Sequence, residues 1–135
     1  MEVKEVKIKN VLLVDPDKAL LDGYKSYLES KKIKVSTASS MQEATKVLTN
    51  FTPDVVVTEL MLEHYDSGFI LCKKIKDSDK TKNAAILMLT DVEAKTGYKF
   101  TTDTREERSW IKADKIMSKP ISAARLYDVA CGIAK

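Results

Sequence analysis

Pro53-Asp54-Val55-Val56-Val57-Thr58-Glu59 is the stretch on which the fold turns. A turn dipeptide opens it, a β-branched run without polar alternation follows, and an acid closes it. That pattern predicts a short strand covered on both faces, as strands of parallel sheets are. Moving outward, Ile8 to Val14 (Ile-Lys-Asn-Val-Leu-Leu-Val) is a second run of this kind and Ala85-Ile-Leu-Met-Leu89 a third. Lys34 to Ala38 and Lys115-Ile-Met117 are weaker ones. Amphipathic segments lie between them. Asp17 is placed to cap a helix with Leu20, Leu21, Tyr24 and Leu28 on one face. Ser40 and Glu43 have capping-box spacing ahead of Met41, Ala44, Val47, Leu48 and Phe51. Gly68 to about Lys76 carries Phe69, Leu71, Cys72 and Ile75 inward, and Ser122 opens a last helix with Leu126, Tyr127, Ala130 and Ile133 facing in. Val92 to Phe100 is broken by Gly97 and reads either way. Thr104 to Lys112 reads as a helix, with Glu107 at capping-box spacing and Trp110 as its apolar anchor. Five strands alternating with five helical segments predict one α/β domain over residues 1–135. Its sheet is parallel, its crossovers right-handed and its strand order the flavodoxin-like 2-1-3-4-5.

Composition narrows the function classes. Hydrophobic residues make up 44% and charged residues 32%, the balance of a globular chain. No apolar run is long enough to cross a bilayer, and the charged start Met1-Glu-Val-Lys-Glu lacks the apolar core of a signal peptide, so a cytoplasmic location and no membrane partner are expected. A net charge of +3, from 23 basic and 20 acidic residues, is too small an excess to argue for nucleic acid. Lysines concentrate at Lys4–Lys9, Lys31–Lys34 and Lys73–Lys82, where solvated helix ends and edges account for them. Cys72 and Cys131 have no metal-ligand spacing and read as small buried hydrophobes in a reducing compartment.

Ligands of such sheets bind outside the carboxyl ends of the strands. Asp15 follows the first strand, with Pro16 and Asp17 behind it; Glu59 ends the third. Thr90 and Asp91 end the fourth, and Ser118-Lys119-Pro120 the fifth. Each alone is an ordinary helix cap or strand exit. Together at one edge they form a site for an oxyanion and a cation. Clustered carboxylates suit Mg²⁺, a lysine and a hydroxyl neutralise phosphoryl oxygens, and phosphoryl transfer needs little beyond positioning and charge stabilisation.

Five motifs carry a resemblance at this point: Val11-Leu-Leu-Val-Asp15-Pro-Asp17, Pro53-Asp-Val-Val-Val-Thr-Glu59-Leu-Met-Leu, Asp66-Ser-Gly68-Phe, Met88-Leu-Thr90 and Lys119-Pro120. In this order and at these spacings, the chain resembles the response-regulator receiver (CheY-like) family from Val11 to the last helix. The resemblance implies a signalling domain of two-component phosphorelays rather than an enzyme. It puts Glu59 at the phosphoacceptor position and Asp15 at the first place of the family's acidic pair. Thr90 matches the hydroxyl that contacts the phosphoryl group, and Lys119 the lysine that pairs with the acceptor carboxylate. The backbone carbonyl of Met61 stands where the family supplies a metal ligand, and Lys119–Pro120 where its peptide bond is usually cis. Implied partners are a histidine kinase or another signalling protein, with a homodimer through the segment after strand 4, strand 5 and the last helix.

The departures shape the expected function. Glutamate at 59 moves the carboxylate outward by one methylene, about 1.5 Å, where efficient chemistry tolerates errors of roughly 0.5 Å. That reach predicts contact with Lys119 or Thr90 and a partial phosphomimic, one charge replacing a phosphoryl group's near two. Pro16 stands at the second acidic position and cannot ligate metal; Asp17 is the candidate to compensate, and a weak Mg²⁺ site at Asp15, Glu59, Met61 and Asp17 is expected at best. Ile116 holds the family's aromatic switch position. The loop from Glu63 to Gly68 is one residue longer than the usual form, and its His64 and Tyr65 read as loop residues. The expected function is an atypical receiver working as a protein-interaction switch. The alternative is a phosphorylation-competent receiver served by a histidine kinase. A nucleotide- or flavin-binding enzyme on this fold is the remote reading, against which stand only four glycines and Asp15-Pro16 where a glycine-rich loop would be.

Overall fold

A computed structural model describes residues 8–134. Along the chain run β1 (Asn10–Val14), α1 (Lys18–Ser30), β2 (Lys34–Ala38), α2 (Met41–Val47), β3 (Val55–Thr58), α3 (Ser67–Asp77), β4 (Ala85–Thr90), α4 (Val92–Thr96), α5 (Arg105–Ile111), β5 (Lys115–Ser118) and α6 (Ala123–Ile133). The strands form one parallel sheet in the order β2-β1-β3-β4-β5. This is the flavodoxin-like α/β arrangement the sequence predicts. All four residues of β3 are buried, as a central strand between two helical layers must be.

The period-two alternation of strand side chains divides the core. Val11, Leu13, Val55, Val57 and Leu87 face the layer of α1 and α6, where they meet Leu21, Leu28 and Leu126. Leu12, Val14, Val56, Ile86 and Met88 face the other layer and meet Leu71, Ile75 and Ile111. The register sets Val14 beside Thr58 and Thr58 beside Met88, with Thr90 beside Ser118. Asp15, Glu59, Thr90 and Lys119 therefore leave the sheet at one edge.

Helix ends follow the sequence with instructive exceptions. Asp17 caps α1 by accepting the Leu20 amide at 3.2 Å. Thr104 and Glu107 make both halves of a capping box on α5. At α2, Ser40 accepts the Glu43 amide, but Glu43 turns to the Ser39 hydroxyl instead of completing the box. Glu63, from the loop after β3, accepts the amides of Met41 and Gln42 at 2.7 and 2.9 Å. The exposed first turn of α2 thus gets a second anion, beside its own Glu43, from another segment.

Other expectations are corrected. Val92 to Phe100 resolves into the short α4, stopped by Gly97 in the left-handed region at φ 79°, so there are six helices among the described residues rather than five helical segments. The anchor of α5 is Ile111, fully buried, because the helical phase turns Trp110 half out to solvent at 50% exposure. Trp110 still packs edge-on against Phe69 and Phe100. On α6 the buried face is Leu126, Val129 and Ala130, with Tyr127 and Ile133 only part-buried at its margin. Phe51 is buried just beyond the end of α2. Cys72 is buried and Cys131 half-buried, both as free thiols. Burial pushes the Cys72 thiol up to about 12. No helix among the described residues is long and apolar enough to cross a membrane.

Candidate functional site

Backbone positions the site before any side chain does. The Glu59 amide donates to Val14 and the Lys119 amide to Thr90, so the ladder carries past the strands to the residues that matter. Gly68, at the start of α3, is required by close approach. A Cβ there would stand 2.6 Å from both the Glu59 carbonyl oxygen and the Leu60 Cα. The Gly68 amide uses that closeness to donate to the Leu60 carbonyl at 2.7 Å. Glycine lets the first turn of α3 press on the exit of β3 and hold residues 59–61 in place.

The four predicted side chains meet. Asp15, Glu59 and Thr90 are 5%, 3% and 2% exposed. The Lys119 ammonium sits between the two carboxylates, 2.6 Å from Asp15 Oδ2 and 3.0 Å from Glu59 Oε1. Glu59 Oε1 also accepts the Asp91 amide at 3.3 Å. Glu59 Oε2 accepts the amides of Leu60 and Met61 at 2.6 and 3.1 Å, together with the Thr90 hydroxyl. The second oxygen of Asp15 accepts the Asp17 amide at 2.9 Å. Burial by itself would lower the Lys119 pKa. Its hydrogen bonds to Asp15 and Glu59 and their charges outweigh that and hold it above the ordinary lysine range. The Thr90 hydroxyl in turn accepts the Val92 amide, linking Glu59 to the start of α4.

The other predicted residues lie around this centre. Asp17 spends its carboxylate on the α1 cap, and Met61 contributes its amide to Glu59. Lys119–Pro120 is cis. Ile116 lines a cleft of about 260 Å³ together with Thr90, Lys99 and Phe100. His64 is exposed and Tyr65 is 78% exposed on the long loop. Sequence reasoning missed the amides of Leu60, Met61 and Asp91, since backbone donors leave no residue-type signal.

Residues 11–130 match the family described as response regulator receiver domain. The chain belongs to that family. A heme response regulator, HssR, of Staphylococcus epidermidis is 30% identical over 118 residues, 87% of this chain and 47% of the relative. The chain thus spans about half the length of the curated relatives it matches first. Among solved structures, the chemotaxis response regulator CheY4 of Vibrio cholerae superposes with a TM-score of 0.77 at 20% identity, over 94% of this chain and 99% of that one. A two-component response regulator from Clostridium difficile superposes with a TM-score of 0.73 at 25% identity, over 93% and 94%. Receiver domains are signalling domains of two-component systems, not enzymes, and they interact with histidine kinases and other signalling proteins.

Receivers typically hold Mg²⁺ beside the acidic phosphorylation site. The donor set of this receiver does not fit the ion. Mg²⁺ asks for near-octahedral oxygens with lone pairs to give. Glu59 Oε1 already accepts two N–H groups and Oε2 three donors, Asp15 is held by Lys119 and the Asp17 amide, and Pro16 offers no side-chain oxygen. Among the described residues no group of three or more His, Cys, Asp or Glu is arranged to hold a metal.

Proposed function

We propose that this receiver signals without accepting phosphate in the usual way, Glu59 standing in part for the phosphoryl group in a protein-interaction switch. The observation that carries the reading is the Thr90 hydroxyl donating to Glu59 Oε2 while Lys119 holds Oε1. A hydroxyl, an ammonium and converging amides are the donors that a phosphoryl group would use. Here a carboxylate one methylene longer than aspartate's reaches them itself. A carboxylate whose lone pairs are all engaged is also a poor nucleophile toward phosphorus, since attack needs one of them free and in line. The mimicry is partial because one charge replaces nearly two.

The partner is a histidine kinase or another signalling protein, or a second copy of the chain, engaged through the segment after β4, β5 and α6. The link from Glu59 through Thr90 to the Val92 amide is the physical path from the charge to that face. Incubation with acetyl phosphate and Mg²⁺, read by intact mass, tests the reading. The expected result is an unmodified chain; a stoichiometric adduct mapped to Glu59 would overturn it.

A further inference from the structure

We propose that this receiver carries its own cation: the Lys119 ammonium fills the place between Asp15 and Glu59, and divalent metal is excluded for as long as that lysine is present. Part of this rests on the reading of Glu59 given above. The engagement of Asp15 stands apart from it.

The geometry is that of a closed charge clamp. Lys119 Nζ lies within 2.6 and 3.0 Å of oxygens on two different strand ends. Both carboxylates are almost wholly buried, so water cannot substitute for a donor that leaves. The remaining oxygens face the amides of Asp17, Leu60, Met61 and Asp91. Those N–H groups present the positive ends of their dipoles to the space a metal would need. A hard ion entering there would have to displace the ammonium from two charge-assisted bonds and turn Glu59 off its amides. It would gain no compensating ligand from position 16, which is proline. Charge count agrees. Two carboxylates against one ammonium leave a single residual negative charge, and the Leu60, Met61 and Asp91 amides offset much of it.

Remove the lysine and the balance inverts. Asp15 and Glu59 would then face each other across the gap with no cation between them, the condition in which clustered carboxylates recruit a divalent ion. The prediction is a gain of binding on losing a positive charge at one residue.

Mn²⁺ alone is the probe. Free Mn²⁺ is counted by electron paramagnetic resonance, and broadening of the Asp15, Leu60 and Met61 amides is read by NMR on the ¹⁵N-labelled chain. The unmodified chain is expected to leave millimolar Mn²⁺ free and those amides sharp. Lys119→Met and Lys119→Gln are expected to bind at least about tenfold more tightly and to broaden the same amides. Site-localised broadening in the unmodified chain overturns the inference. So does a folded Lys119 variant, of either kind, that gains no binding. Should both variants unfold, the titration of the unmodified chain decides alone. Failure here is distinct from failure of the phosphate-free reading. An adduct on Glu59 that forms equally well in EDTA sinks that reading and leaves the metal exclusion standing; Mn²⁺ at the site without an adduct does the reverse.

Discussion

Two regions of this receiver are built to opposite standards. At the exits of β1, β3 and β4, Asp15, Glu59 and Thr90 are buried, both oxygens of Asp15 and of Glu59 are engaged, and Gly68 brings α3 against the backbone at the exit of β3. The flank from Val92 to Ser118 has two short helices, left-handed stops at Gly97 and Lys112, and a cleft. Its strand β5 has no fully buried residue, whereas all of β3 is buried. Buried strands resist opening, and elements with few buried apolar contacts sit at the low end of local stability. A rigid charge centre joined to a loosely held flank is what a switch needs, since a conformational bias can act only on an element with somewhere to go.

The largest effect should come from breaking the rigid region. Glu59→Ala leaves the Thr90 hydroxyl and the amides of Leu60, Met61 and Asp91 without their acceptor, and Lys119 with Asp15 alone. Loss of about 3 kcal/mol is expected, at the lower end for a broken buried pair because Lys119 keeps one partner. Urea denaturation measures it; a loss below about 1 kcal/mol, the worth of an ordinary hydrogen bond, would mean the centre is not the rigid half. Gly68→Ala comes next. Its Cβ would strike backbone rather than a yielding side chain, and overpacking of that kind costs about 2 kcal/mol. Any substitution that leaves stability unchanged there would show that α3 can slide off the exit of β3.

How far each region was legible follows from the range of its interactions. Val55–Thr58 is legible to its bounds because a buried parallel strand announces itself as an unbroken β-branched run, whereas the edge strand Lys34–Ala38, with mixed burial, gives a weaker signal. The caps at Asp17, Ser40 and Thr104 are local, so their spacing reveals them. The edge that gathers Asp15, Glu59, Thr90 and Lys119 was legible because topology alone forces it. Glu63 was not, since its partners Met41 and Gln42 lie on another segment and no local pattern encodes the pairing. Size suggests Trp110 as the anchor of α5, but helical phase gives that place to its neighbour Ile111. The five residues of α4 are too few for periodicity to identify.

Smaller effects should come from the flank. Trp110→Ala removes the edge-on partner of Phe69 and Phe100, contacts that tie α5 to α3 and to the loop before it. About 1 kcal/mol is expected, since the ring is half exposed and aromatic pairs are worth about that much. Hydrogen exchange should place the loss in residues 98–112 and spare β3. If β3 amides lose protection equally, the two regions unfold as one and the contrast drawn above fails.

The smallest expected effect is also the most selective. Glu107 accepts the hydroxyl of Thr101 at 2.6 Å and that of Thr104 at 2.9 Å, stitching the exposed loop to the first turn of α5. Those hydroxyls, Thr101 foremost, hold the Glu107 carboxyl below its ordinary range. A carboxyl depressed in the folded state stabilises it fully above the unfolded value, about 4.3, and that contribution is lost as pH falls through the lower folded value. Acidification below about pH 4 should therefore loosen the loop. Exchange of the 101–107 amides, corrected for intrinsic rates, should quicken a few-fold while the amides of β3 stay protected. Glu107→Gln keeps a carbonyl oxygen for the threonines but cannot titrate. It should slightly weaken the stitch at neutral pH and abolish its acid dependence. An acid response that survives Glu107→Gln would assign the loosening to another group and detach this carboxylate from the stability of the flank.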